Sequence, residues 1–121
     1  MALTKTHFPE ATAVLGPAQS LRTYQLQPGT SDYPTGGYVI TAASVGFAFL
    51  FGAWIAAQKY GTSLYYPVFC LPSGSFASTP LQATSIYLAV YQSAGSAAPP
   101  VEIANGTDLS AYTFIGTFLG Y

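Results

Sequence analysis

Two stretches of this chain alternate side-chain character with a period of two, and that alternation narrows the fold more than any other feature. Ile86, Leu88 and Val90 interleave with Tyr87, Ala89 and Tyr91, while Tyr112, Phe114, Gly116 and Phe118 interleave with Thr113, Ile115, Thr117 and Leu119. Successive side chains of a strand point to opposite faces, so each stretch reads as a strand with one face turned to a core. Arg22 to Gln27 repeats the pattern, with Arg22, Tyr24 and Leu26 opposite Thr23, Gln25 and Gln27, and Tyr38-Val39-Ile40-Thr41 has strand chemistry.

Between these runs lie residues that break regular structure. The chain has twelve Gly and nine Pro, and turns are expected at Pro28-Gly29, Gly36-Gly37, Tyr60-Gly61, Pro72-Ser73-Gly74 and Asn105-Gly106, the last being a strong hairpin dipeptide. The expectation is an all-β fold: a two-sheet β-sandwich or jelly roll of about seven or eight antiparallel strands. At 121 residues one domain is expected. Residues 21–121 are assigned to the sandwich. Residues 1–20 mix apolar anchors (Leu3, Phe8, Val14, Leu15) with Pro9, Gly16 and Pro17 and show no sustained period, so they are read as an extended arm that binds a neighbouring subunit or partner. Deleting the arm is then expected to leave the sandwich folded.

Charge is scarce. The chain has three Lys and Arg (Lys5, Arg22, Lys59) and four Asp and Glu (Glu10, Asp32, Glu102, Asp108), and none between Lys59 and Glu102. Soluble domains ordinarily devote about a quarter of their residues to these types, because surface charge keeps molecules apart. Such a surface is expected to lie against other subunits. Three scattered cations argue against nucleic acid as a partner, and four dispersed carboxylates do not make a calcium cage.

The single cysteine, Cys70, has no partner for an internal disulfide and sits in the apolar run Tyr65 to Leu71, so a buried thiol is expected. The amino terminus lacks a continuous apolar stretch like that of a signal peptide, so cytoplasmic synthesis is expected. Val39 to Ala57 is apolar enough to compete as a membrane helix. Gly46, Gly52 and the spacing of Phe47, Phe49 and Phe51 favour a strand instead.

No catalytic set is evident. The only histidine, His7, lies in the arm, and Glu102 and Asp108 flanking the Asn105-Gly106 turn are read as solvated charges. No cofactor, metal or small-molecule substrate is expected. Tyrosine, with ten copies, is the informative residue type, since it combines rigid contact area with a hydroxyl. Tyr87 and Tyr91 share one strand face and, with Phe47, Phe49 and Phe51, are candidates for a subunit interface. They serve equally to close the second sheet.

The segment Ser31-Asp32-Tyr33-Pro34-Thr35-Gly36-Gly37-Tyr38-Val39-Ile40-Thr41-Ala42-Ala43-Ser44-Val45-Gly46-Phe47 resembles a group of small structural proteins of tailed bacteriophages. Its core is Tyr-Pro-Thr-Gly-Gly-Tyr, with Tyr33, Pro34, Gly36, Gly37 and Tyr38 as a structural turn, and the likeness extends to Gly106-Thr107-Asp108-Leu109. The resemblance implies a β-sandwich decoration or cement protein, commonly a trimer, that sits on the outer head surface of the virion and clamps neighbouring major capsid subunits. The chain departs from the group at Phe47 to Phe51, at Tyr65-Tyr66 and in its apolar arm. A tail or baseplate role, a lectin-like module and a small membrane protein stay as alternatives.

Overall fold

The computed structural model describes residues 3–14, 20–59, 63–72 and 83–121, and of residues 9–14 the backbone alone. These residues form eight strands and one short 3-10 turn: β1 (Thr4–Val14), β2 (Ser20–Gln27), β3 (Tyr38–Thr41), the 3-10 turn Ala43–Val45, β4 (Leu50–Lys59), β5 (Tyr66–Cys70), β6 (Ser85–Gln92), β7 (Val101–Glu102) and β8 (Thr113–Gly120). All pairings among them are antiparallel.

Sheet A has the order β1-β2-β8-β4. Sheet B is centred on β6, with β5 along one side and β3 and β7 end to end along the other. The two sheets close a β-sandwich over one core. Its floor is Leu26 on β2 with Phe114 and Phe118 on β8, and its roof is Ile40 on β3 with Ile86, Leu88 and Val90 on β6. Every one of these belongs to the apolar set of its alternating segment, and the intervening residues face out.

Residues of the connections and of β4 and β5 fill the remaining gaps. Tyr33, Val45, Leu50 and Leu109 are fully buried between the sheets, and Phe69 from β5 reaches across to Phe118, ring centroids 5.3 Å apart. Gly116 leaves room on β8: a Cβ there would press on Leu26 and on the Phe69 ring.

Several expectations change. Residues 4–14 are not a free arm but the edge strand of sheet A, paired with β2 from Thr4↔Gln27 to Val14↔Ser20 with a register break between Phe8 and Ala13. The irregular sequence hid this because Pro9, which lacks an N–H, is tolerated on an edge strand next to a bulge. Leu3 is a core residue, 4 % exposed. Removing residues 1–20 would therefore strip a strand from sheet A and a side chain from the core. Leu15 lies outside the described residues, as does the side chain of Val14.

Asn105-Gly106 does form a turn, closed by Thr107 N–H to the Ala104 carbonyl at 3.1 Å, but it is not a hairpin. β7 belongs to sheet B and β8 to sheet A, so the chain crosses between sheets there. Of the two turn residues only Gly106 has positive φ, whereas a type I′ hairpin requires both. The Tyr60-Gly61 turn and the Ser73-Gly74 part of the next lie outside the described residues. The apolar stretch Val39 to Ala57 runs through β3, the 3-10 turn and β4, and no helix among the described residues is long and apolar enough to cross a membrane.

Candidate functional site

The Tyr-Pro-Thr-Gly-Gly-Tyr segment builds a clasp at one end of the sandwich. On the side of β6 opposite β5, the ladder is interrupted between β3 and β7, and the Tyr33 hydroxyl fills the gap. Its oxygen accepts the Val90 N–H at 3.0 Å, and its proton is donated to Glu102 Oε2 at 2.6 Å. The same carboxylate oxygen accepts the Gly36 N–H at 2.7 Å. Gly37 N–H closes the turn on the Pro34 carbonyl at 2.9 Å, and Gly106 N–H bonds the Tyr33 carbonyl at 2.7 Å. Thr35 N–H reaches Asn105 Oδ1 at 3.3 Å, and the Tyr38 hydroxyl donates to Asp32 Oδ1 at 2.7 Å.

Glycine is required at 37. Its φ is +100°, and a Cβ would lie 2.5 Å from the Leu88 carbonyl oxygen. The Tyr33 phenol is held far above its usual pKa, first by burial and then by its bond to the Glu102 carboxylate. Tyr38 is raised likewise, by burial and then by Asp32. Asp108, which is exposed, is lowered by its hydrogen bonds to Ser110. Glu102 is therefore a half-buried acceptor rather than the solvated turn charge expected, because the fold carries it to a turn distant in sequence.

The outer face of sheet B carries Tyr87 and Tyr91, opposite the buried Ile86, Leu88 and Val90, as the alternation predicts. Register places Val39, Tyr87 and Cys70 in one row across β3, β6 and β5, Ala89 and Val68 in the next, and Glu102, Tyr91 and Tyr66 in the third. Val39 is 56 % exposed and Tyr66 44 %. Cys70 is exposed, not buried: β5 places Pro67 and Phe69 on its inner side, so Cys70 falls to the outside with Tyr66 and Val68. The only charged residue in these rows is Glu102, whose carboxylate is taken up by the clasp.

The outer face of sheet A is larger. One row crosses all four strands as Phe8, Thr23, Thr117 and Trp54, with the Thr23 and Thr117 hydroxyls 3.0 Å apart at its centre. Toward the clasp lies the row Thr6, Gln25, Ile115 and Ala57, and on the other side Leu21, Leu119 and Gly52. Trp54 is 48 % exposed. No charged residue lies in these three rows; Lys59, opposite Thr113, marks one corner beyond them.

Of the three phenylalanines expected at an interface, Phe47 is placed otherwise. Phe47 is 6 % exposed and belongs to the core, with the Arg22 guanidinium 5.3 Å above its ring. β4 begins only at Leu50, so Phe47 and Phe49 do not lie on a strand. Phe49 and Phe51 are half-buried against Tyr121, at centroid distances of 5.3 and 4.9 Å. The lone His7 packs on Tyr24, 4.9 Å between centroids.

Sheet edges are poor templates for strand addition. β1 has Pro9 and a register break, β4 has two register breaks, β5 has Pro67, and the β3–β7 edge is interrupted by the clasp. No cleft that would enclose a ligand is found among the described residues. No family model matches the chain, and no curated protein or solved structure is detectably similar to it.

Proposed function

We propose that this chain is a non-enzymatic structural protein of a tailed-phage virion. It is made in the host cytoplasm, binds the outside of the head as a homo-oligomer and stabilises the shell by clamping adjacent major capsid subunits. The observation that carries the reading is the scarcity of charge on the outer faces of both sheets, where Lys59 and the clasped Glu102 are the only ions among the described side chains, together with edges unsuited to strand pairing. The resemblance of the clasp segment to phage decoration proteins supplies the setting.

Such faces act through apolar burial. A standard interface of about 1,600 Å² yields tens of kcal/mol of gross apolar burial at about 25 cal/mol per Å². Most of this is consumed by association entropy and side-chain ordering. Repetition of the contact over a shell multiplies what remains.

The test is co-sedimentation of the purified protein with undecorated heads of the phage that encodes it. Saturable binding that persists in about 1 M NaCl is expected, because screening at that ionic strength removes surface ion pairs but not apolar contacts. Absence of binding, or release by salt, would overturn the proposal.

A further inference from the structure

We propose that the outer face of sheet A is a two-fold interface with a second copy of this chain, the axis lying in the interface plane and along the strands. The inference rests on reading the uncharged faces as contact surfaces, and it adds which face joins copies and how.

The argument starts from the rows. Read across β1, β2, β8 and β4, the central row is aromatic, Thr, Thr, aromatic: Phe8, Thr23, Thr117, Trp54. It is nearly the same in either direction. Beside it, Leu21 and Leu119 form a matched pair over the seam between β2 and β8. A two-fold axis along that seam lays each row on its own reverse. Thr23 then meets the second copy's Thr117, Trp54 meets the second copy's Phe8, and Leu21 meets the second copy's Leu119. In these two rows apolar groups face apolar groups and hydroxyls face hydroxyls; in the third, Gln25 meets the second copy's Ile115 and Thr6 its Ala57, contacts that bury no ion. This is the self-complementarity that an isologous contact demands, and sheets pack face to face with strands nearly aligned.

Area favours sheet A over sheet B. Four strands are about 19 Å wide, and the eight residues of β8 span about 27 Å. The flat footprint is about 500 Å², the same order as the 800 Å² per partner found in stable complexes. By the same measure sheet B, three strands wide and as long as the eight residues of β6, covers about 390 Å². Charge agrees as well. A partner with a charged footprint would lose hydration against these rows without gaining an ion pair, whereas the same three rows of a second copy carry no charge.

The experiment measures mass by sedimentation, with circular dichroism to verify folding. The intact protein is expected as a particle of two 12.7 kDa chains. W54K and F8E are each expected to raise the dissociation constant about a hundredfold or more. Mixing the two variants should restore the two-chain particle, because the introduced ammonium then faces the introduced carboxylate while native Trp54 faces native Phe8. L119K and L21E form a second such pair, for use if either of the first two does not fold. V68K on sheet B should leave the mass unchanged.

A monomer or a trimer for the intact protein would overturn the proposal. So would folded variants of unaltered mass, failure of the mixture to pair, or dissociation by V68K. Head co-sedimentation is read separately: a monomer that still binds heads defeats this interface and leaves the proposed function standing.

Discussion

The clasp and the outer face of sheet A use polar chemistry in opposite ways. At the clasp, Asp32, Glu102 and the Tyr33 and Tyr38 hydroxyls are committed to partners inside the molecule, at 2.6 to 2.7 Å. The sheet face has hydroxyls, amides and aromatic rings but no ion in its three central rows. The difference teaches that a chain with few charges can direct them to closing its own fold, leaving the central rows of a broad sheet face without ions. Changes at the clasp should therefore act on folding, and changes on the faces on assembly.

The largest expected effect breaks the clasp at its tightest point. Gly37→Ala forces a side chain into left-handed backbone against the Leu88 carbonyl, and a loss of about 3 kcal/mol in urea unfolding is expected. Next is Tyr33→Phe, which leaves the Val90 N–H without its acceptor and takes one of two donors from Glu102 Oε2. A loss of about 1 to 3 kcal/mol is expected, with head binding retained at temperatures where the variant stays folded.

Alkaline titration sharpens the same contrast. Tyr33 and Tyr38 have folded pKa values raised above the unfolded value near 10, so both are held neutral by the fold. Their contribution is complete below about pH 10 and is lost as pH rises from there through the folded values, because the unfolded chain releases its protons first. Stability should fall in that range by up to about 1.4 kcal/mol per pH unit for each group. Tyr33→Phe should make the slope shallower, and an unchanged slope would detach Tyr33 from the effect.

The smallest effect is on the faces. Cys70→Ser on the exposed side of β5 should change stability by no more than about 0.5 kcal/mol. The native thiol should react with a maleimide without denaturant. A thiol that reacts only after unfolding would place Cys70 inside an assembled contact on sheet B and so undo the assignment of copies to sheet A.

Much of the sandwich was legible in the sequence. The apolar sets of β2, β6 and β8 were visible as period-two patterns, since burial of one sheet face imposes that period. β1 was not legible: an edge strand with a bulge and Pro9 has little repeating pattern, and its pairing with β2 is a tertiary event. The three phenylalanines shared a spacing but not a strand, because the chain leaves the 3-10 turn and drops Phe47 into the core before β4 begins. The exposure of Cys70 was not legible either, because an apolar run does not say which of its two faces looks outward.

The clasp shows the same division. That Gly36-Gly37 makes a turn follows from local backbone sterics, and the scarcity of charge is a matter of composition. That Glu102 meets Tyr33 and Gly36 depends on contacts more than sixty residues apart in the chain. The rows of sheet A likewise exist only once β1, β2, β8 and β4 are in register. Local sequence thus determined the alternation, the turns and the absence of ions. Tertiary structure alone decided the neighbours, because strand order and register are set by burying all the apolar faces together, a condition no single segment contains.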